Sequence, residues 1–324
     1  MLLDPNKVLN NFIGNNLIAA SLLKTFNNSN FSGVWLLKGP KGIGKAKLAN
    51  KIIAEVLEIS ADNKSELIHP DLFVLKNNSS EKKFIPVEDV RKISSFLSKT
   101  SIKGKCRFVL IDSLNEINLF GYNAILKTIE DYSIYTNFFL IDHMLNEIPN
   151  TINSRCKTFT FKKLSEEKIQ LLLEKTDSNK EEQHGYAILA NGSIGEALNL
   201  QKYNALNIHK IYCEFILEKI TLKKVQELFK KKDINVFNIS FLILSRLLML
   251  ALKELSNINN IIKLNDLEEE VIAVLSKSLE SLEVFNLIDA LNNNKQNTIN
   301  LNLDMFTSLN IFLNELMGKL NKNE

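Results

Sequence analysis

Residues 39–46 read GPKGIGKA, a glycine-rich segment with a lysine near its end. The spacing G-x-x-x-x-G-K is typical of a loop that wraps around phosphate groups. Gly39, Gly42 and Gly44 let backbone N–H groups approach phosphate oxygens, and Lys45 adds a positive charge. An apolar run precedes the segment and a helical pattern follows it, which is the context that a phosphate loop requires. The alternative is a glycine-rich turn that only joins a strand to a helix.

The same region lacks two residue types that metal-dependent ATP hydrolysis needs. The residue after the lysine is Ala46, where a serine or threonine hydroxyl would hold Mg²⁺. Asp112 can hold a metal, but Ser113 follows it, where a hydrolysing ATPase of this type has a glutamate that activates water. Glu116 lies nearby and is expected at a helix N-terminus. The sequence therefore predicts a phosphate loop with little or no hydrolysis of its own, with no required cofactor and at most weak, vestigial ATP binding.

Alternating strands and helices would position these residues. Strands are predicted at five runs, which are residues 34–38, 72–75, 108–111, 137–141 and a short fifth at 158–161, and the first of them is expected to be buried. Helical patterns separate them, for example at residues 45–59 and 117–129. This alternation predicts a parallel sheet with helices on both faces. Such sheets bind ligands at the carboxyl ends of their strands, where the phosphate loop and Asp112 are expected.

After Phe161 the pattern is helical to the end of the sequence. We predict an α/β phosphate-loop domain at residues 1–162, a small helical domain at 163–205 and an all-helical domain at 206–324. Loops are expected near three segments of the last domain, 233–236, 257–266 and 292–299. The apolar run at 241–252 is shorter than the ~20 residues that a bilayer requires, so it predicts a buried helix.

Composition excludes several classes of protein. The chain has 324 residues, of which 45% are hydrophobic and 24% charged, as in ordinary globular proteins. Its net charge of +3 is too small for coating nucleic acid by charge alone. The half at residues 1–162 has 21 basic and 15 acidic side chains, which suits weak contacts with DNA or nucleotide phosphates or reflects sampling noise.

The cysteines and the N-terminus bear on cellular location. Three widely separated cysteines without C-x-x-C spacing exclude a disulfide scaffold and a four-cysteine zinc site. The sequence begins MLLDPNKV, without a signal-peptide pattern. We therefore expect a reducing, cytoplasmic location and no membrane partner.

Arginine is scarce in this chain. Lysine accounts for 36 of the 40 basic residues, and the four arginines are Arg91, Arg107, Arg155 and Arg246. Lysine serves where only a charge is needed, whereas it cannot replace a planar guanidinium with several donors. The remaining arginines are therefore candidates for such roles.

Seven segments taken together are similar to one known family. They are SGVWLLKGPKGIGKAKLA (32–49), HPDLFVL (69–75), IPVEDVR (85–91), RFVLIDSLNEIN (107–118), NAILKTIED (123–131), PNTINSRC (149–156) and NGSIGEALNL (191–200). In this order and spacing they resemble the delta prime family of bacterial DNA polymerase III clamp-loader subunits, which is of the AAA+ type. The resemblance runs from about Phe12 to Leu200 and continues weakly in the segment LNLDMFTSLNIFL.

The resemblance implies a P-loop (AAA+) domain, a helical lid and a C-terminal helical collar that joins subunits in a ring. It implies gamma or tau and delta subunits as partners, and contact with the sliding clamp and primed DNA through the complex. The implied function is loading the clamp onto primed DNA during replication. Members of this family are taken to be rigid and non-hydrolysing, while the gamma or tau neighbours hydrolyse ATP.

The resemblance also gives Ser154-Arg155-Cys156 a role. In clamp loaders this motif offers its arginine to the ATP that the next subunit binds, so Arg155 is the predicted arginine finger in trans. Such a finger stabilises charge on the transferring phosphoryl group and contributes roughly 10³–10⁵ in rate. The alternative is a surface salt bridge near the start of a strand.

Further departures from hydrolysing relatives point the same way. Those relatives have an arginine at the position of Gly195, and a threonine or asparagine where this chain has Asp142-His143. Many family members carry a zinc module that would fall at residues 57–71, which contain no cysteine here, so no metal is expected. Two alternatives stay open. One is an autonomous P-loop ATPase or nucleotide kinase, and the other is a different AAA+ protein such as a helicase loader or a gamma-like subunit.

Overall fold

Five parallel strands form one sheet in the order β2-β3-β4-β1-β5. The strands are β1 (Gly33–Lys38), β2 (Leu72–Leu75), β3 (Arg107–Ile111), β4 (Thr136–Asp142) and β5 (Lys157–Thr160). The computed structural model describes residues 3–10, 12–29, 32–59, 67–77, 84–101, 106–134, 136–145, 147–176, 178–258 and 262–321. Within them, a strand lies at each of the five predicted runs, and the parallel sheet is confirmed.

Helices cover both faces of the sheet because its central strands are apolar on both sides. Along β1, Trp35 and Leu37 belong to one buried core, while Val34 and Leu36 belong to the other. This alternation follows from the two-residue period of a strand. The helices of this part of the chain are α1 (Pro5–Leu9), α2 (Asn16–Asn27), α3 (Lys45–Val56), α4 (Val87–Leu97), α5 (Leu119–Tyr132), α6 (Asn150–Asn153) and α7 (Glu166–Leu173).

Strand register brings the predicted site residues together at the carboxyl ends of the strands. The last residue of β1, Lys38, is paired with Asp142 at the end of β4. Asp112 directly follows β3, and its N–H donates to the carbonyl of Leu75 at the end of β2. The loop after β1 therefore lies beside the ends of the neighbouring strands.

The remaining helices form the second half of the chain. They are α8 (Lys180–Leu189), α9 (Ile194–Lys202), α10 (Ala205–Ile216), α11 (Leu222–Glu227), α12 (Ile234–Leu255), α13 (Asp266–Ser278), α14 (Ser281–Asn300) and α15 (Met305–Leu320). Among the described residues, α12 is the one helix long and apolar enough to cross a bilayer. However, 56% of its most apolar window is buried inside the protein, as expected of a core helix.

The loop predicted near residues 292–299 is wrong, because those residues lie within α14. The asparagine-rich sequence suggested a loop, but polar contacts with α15 satisfy its buried groups. Asn294 donates to the carbonyl of Ser308 at 2.8 Å and accepts from its hydroxyl at 2.8 Å. Thr298 is also buried and donates to the Asn294 carbonyl at 2.7 Å. The loop expected near 233–236 ends earlier, since α12 begins at Ile234 after its cap Asp233.

Residue contacts group the chain into two units. One comprises Met1–Leu172 with Gly192–Gly195, and the other Leu173–Asn191 with Glu196–Glu324. The predicted division at 162 and 205 into three domains stays a prediction, because residues of the predicted lid fall in both units.

Candidate functional site

The predicted phosphate loop lies directly between β1 and α3. Gly44 is the N-terminal cap of α3 and has a φ of +98°, a backbone conformation that favours glycine. The N–H of Gly39 donates to the carbonyl of Asp142 at 3.1 Å, which fixes the start of the loop to the end of β4. Strand, loop and helix thus have the arrangement that the motif requires.

Lys45 is turned into its own loop. Its Nζ donates to the carbonyls of Gly39 and Pro40, each at 2.5 Å, and the residue is only 3% exposed. Burial lowers the pKa of Lys45 to about 8, although the carboxylates of Asp142 and Asp112 act in the opposite direction. In this arrangement the ammonium binds loop carbonyls, so a phosphate would have to displace them.

Ala46 occupies the position of the metal-binding hydroxyl. Its side chain is partly buried and packs against the apolar core beneath α3. A methyl group offers no oxygen to a magnesium ion. The side of the site that would hold Mg²⁺ against the phosphates therefore lacks one ligand.

The ends of β3 and β4 supply the other polar groups of this edge. Burial raises the pKa of Asp112, while nearby Lys41 and Lys76 act against that rise. Ser113 follows it, and its buried hydroxyl has no hydrogen-bond partner among the described residues. A serine hydroxyl does not activate water as a glutamate does.

His143 directly follows β4, in the segment where the resemblance predicted a threonine or asparagine for a hydrolysing relative. Its backbone N–H donates to Oδ1 of Asn115 at 2.7 Å, which ties the end of β4 to the turn Leu114–Glu116. Burial lowers the pKa of His143 to about 4, and Lys45 and Lys41 add to this effect. The imidazole is therefore neutral at neutral pH. Glu116 closes the short turn, two residues before Asn118 caps α5, rather than starting the helix itself.

The segment 192–195 packs directly on the phosphate loop. The Ser193 hydroxyl donates to the carbonyl of Lys41 at 2.8 Å, and the N–H of Gly195 donates to that of Gly42, also at 2.8 Å. A Cβ placed on Gly195 would lie 2.9 Å from the Cα of Gly42, closer than real atoms approach. An arginine at position 195 would thus require this contact to open.

Arg155 lies in a tight turn between α6 and β5. The hydroxyl of Ser154 and the Nη1 of Arg155 both donate to the carbonyl of Thr151, at 3.2 and 2.9 Å. The Cys156 thiol donates to the carbonyl of Ile152 at 3.0 Å. Ile152 is fully buried and anchors α6 in the core. The side chains of Ser154 and Arg155 thus share one carbonyl of the short helix, while the Cys156 thiol shares the Ile152 carbonyl with the N–H of Arg155.

Arg155 and the phosphate loop lie at opposite ends of the parallel strands. Arg155 lies at their amino ends and the loop at their carboxyl ends. β5 runs parallel to β1, with Lys157 beside Trp35 and Thr160 beside Lys38. Arg155 precedes β5, whereas the loop follows β1, so about six residues of strand, roughly 20 Å, separate them. Arg155 is 42% exposed and forms an ion pair with Glu130 at 2.7 Å. It therefore serves a site outside this chain or remains the surface salt bridge of the alternative interpretation.

Three contributors were not predicted from the sequence: Asn115, Ser193 and Glu130. All lie within the segments that carried the family resemblance, but their partners are distant along the chain. No residue spacing indicates such pairs. As for metals, the described residues contain no group of three His, Cys, Asp or Glu side chains that could hold an ion. Part of the 57–71 stretch lies outside the described residues.

Comparison with known proteins agrees with these observations. A family model described as DNA polymerase III, delta subunit, matches residues 14–165. The gamma subunit of DNA polymerase III from Buchnera aphidicola (subspecies Acyrthosiphon pisum) is 30% identical over 215 residues, which are 60% of this chain and 58% of that protein. The delta prime subunit from Pseudomonas aeruginosa is 34% identical over 134 residues, 38% of this chain and 40% of that protein.

A solved structure shares the fold. It is a gamma subunit-related protein of DNA polymerase III from Thermotoga maritima, with a TM-score of 0.54 and 17% identity, covering 93% of this chain and 99% of that one. The chain spans 58% of the length of this gamma subunit and 40% of that of this delta prime subunit. The matched family model, the relatives and the phosphate-loop fold agree with one another, and the chain is similar to clamp-loader subunits of DNA polymerase III over its first half.

Proposed function

We propose that this chain is a non-hydrolysing, delta prime-type subunit of a DNA polymerase III clamp loader, and that Arg155 completes the ATP site of a neighbouring subunit. One observation carries this proposal. The phosphate loop lies at the carboxyl ends of the strands and Arg155 at the amino end of β5. The phosphate loop lacks the metal-binding hydroxyl at Ala46, whereas Arg155 is exposed.

The gamma or tau neighbour binds ATP and Mg²⁺ and positions the attacking water. Arg155 approaches the transferring phosphoryl group from across the subunit boundary and stabilises the charge that develops there. The phosphate loop of this chain acts mainly as structure, because Lys45 binds the carbonyls of Gly39 and Pro40.

The partners follow from this assignment. They are the gamma or tau and delta subunits and, through the complex, the sliding clamp and primed DNA. The location is cytoplasmic, where replication takes place, and no membrane is involved. No cofactor is required by this chain, and any ATP binding to its own loop is weak.

A gamma-like ATPase is the second candidate. It is favoured by the Buchnera gamma match, which covers more residues of this chain than the delta prime match does. Ala46 and Ser113 oppose it, since they replace a metal ligand and the water-activating acid. The same two residues, Ala46 and Ser113, also oppose an autonomous ATPase or nucleotide kinase.

A paired ATPase assay tests the proposal. The chain is assayed alone and then mixed with gamma (or tau), delta, clamp and primed DNA. We expect no Mg²⁺-dependent turnover alone, and in the mixture a turnover that depends on this chain. Turnover by the isolated chain would contradict the proposal.

The variant Asp112→Asn separates the two candidates in the same mixture. Asp112 would hold the metal in a gamma-like subunit, so its loss would then lower the rate of the mixture. If this chain does not hydrolyse ATP, Asp112→Asn leaves the rate unchanged.

A further inference from the structure

The guanidinium of Arg155 is held at two points by its own chain. Its Nη2 lies 2.7 Å from Oε1 of Glu130, near the end of α5. Its Nη1 donates to the carbonyl of Thr151 at 2.9 Å. Both Arg155 and Glu130 remain about half exposed, at 42% and 54%. The pair is thus formed on the surface, at the edge away from the phosphate loop.

Two bonds leave most of the guanidinium available. An arginine has five N–H donors in a fixed plane, and each of these two bonds uses one of them. Among the described residues, Glu130 and Thr151 are the partners recorded for this side chain. The remaining donors, on Nε and on both terminal nitrogens, keep the fork that binds phosphate oxygens.

We propose that Glu130 is a positioning residue, which orients Arg155 for the ATP site of the neighbouring subunit. This inference rests on the proposed function of Arg155. A free arginine side chain samples many rotamers, and holding it in one of them before it meets the phosphate removes part of the entropic cost of the transition state. The Thr151 carbonyl fixes one end of the guanidinium, and Glu130 fixes the other.

Glu130 does not meet the phosphate in this arrangement. Its side chain reaches the reaction only through Arg155, so its loss should lower kcat and leave the KM for ATP unchanged. An amide oxygen accepts the same hydrogen bond as a carboxylate oxygen, so Glu130→Gln should preserve the orientation without the charge.

The test uses the reconstituted loader with ATP, clamp and primed DNA. We expect Glu130→Ala to lower kcat about two- to fivefold, the range that an exposed, well-directed ion pair supplies. Glu130→Gln should recover most of the loss. Added to Arg155→Ala, the change Glu130→Ala should have no further effect, because the residue acts only through the arginine. The neighbouring Asp131→Ala is the matched control, and its rate should equal that of the wild type.

The outcomes separate this inference from the proposal beneath it. If Arg155→Ala leaves the rate at the wild-type level, the arginine finger itself is wrong. If Arg155→Ala lowers the rate but Glu130→Ala does not, only the positioning role is wrong. A rate that rises in both Glu130 variants would mean that the carboxylate restrains the finger, and would also overturn the positioning role.

Discussion

At the scale of single residues, the arginines separate by their surroundings. Arg107 is buried and donates to the carbonyls of Phe96 and Leu97, at 3.1 and 2.9 Å, and also to that of Lys99, which follows α4. Arg246 forms a two-point pair with a buried glutamate. Both roles need several donors in one plane, which explains why lysine has not replaced them. Arg91 and Arg155 are exposed, and of these two only Arg155 is held by a carboxylate.

Replacement of Arg155 tests the finger directly. We expect Arg155→Ala to leave folding intact and to reduce hydrolysis at the neighbouring site that it serves by on the order of 10³-fold. Arg155→Lys should restore little, since a lysine lacks the fork that binds two phosphate oxygens. The measurement is the DNA-stimulated ATPase of the reconstituted loader, accompanied by thermal unfolding of each variant.

Arg91→Ala is the matched control for this experiment. Arg91 is an exposed arginine on α4, and no ion pair is recorded for it among the described residues. Its removal takes away the same charge without touching the turn before β5. Equal losses in the two alanine variants would indicate a general effect of charge and contradict the assignment to Arg155.

His143 makes the stability of the first unit depend on pH. Its pKa is about 4 in the folded chain and ordinarily about 6.5. The unfolded chain therefore binds more protons between these values, and stability falls as pH decreases from about 6.5 to about 4. We expect His143→Asn to lose less stability than the wild type between pH 7 and pH 5. Urea unfolding at both pH values measures this, and equal losses would contradict the assignment.

At the scale of elements, a buried charged cluster joins three C-terminal helices. Glu268 of α13 is fully buried and receives hydrogen bonds from Arg246 of α12, at 2.8 and 3.1 Å, and from the N–H of Leu264 at 2.6 Å. Its Oε1 lies 3.1 Å from Nε2 of His209 on α10. Burial would raise the pKa of Glu268, but the hydrogen bonds of His209 and Arg246 outweigh it and hold the pKa at about 2.

Removal of this charge should be costly. We expect Glu268→Gln to lower the free energy of unfolding by about 3 kcal/mol, because Arg246 is left partly buried without its counter-charge. Since the pKa is depressed, the difference from the wild type should persist above about pH 4.5 and shrink as the pH falls towards 2. Urea unfolding at pH 7 and pH 4 provides both values.

The adjacent Glu269→Gln is the control. Glu269 pairs with Lys263 at 2.7 Å on the surface and is 61% exposed. Exposed pairs contribute at most about 1 kcal/mol, so this variant should unfold almost as the wild type does. A similar loss in both variants would mean that burial of the charge is not the cause.

At the scale of the whole molecule, the sequence predicted correctly those features that depend on residues within a single element. Continuous apolar runs predicted the strands, and the glycine spacing predicted the loop between β1 and α3. The asparagine-rich end of α14 was mistaken for a loop because Ser308, which satisfies Asn294, belongs to another helix. Likewise, nothing in the spacing of Glu130 and Arg155, or of Ser193 and Lys41, indicates that these residues meet. Such contacts depend on tertiary packing, which residue periodicity does not encode.

The strands of a parallel sheet all run in one direction, and this limits how many ATP sites can hydrolyse ATP in an assembly of such subunits. The two ends of the strands are chemically different, so subunits that share ATP sites across them must meet head to tail. A subunit that presents an arginine to its neighbour but lacks a metal ligand in its own phosphate loop can complete the neighbour's ATP site and has no working site itself. A row of subunits that includes it therefore contains fewer working ATP sites than subunits. Under the proposed function, this chain would be the member without a working ATP site of its own, and the positions of the other subunits could be counted from it.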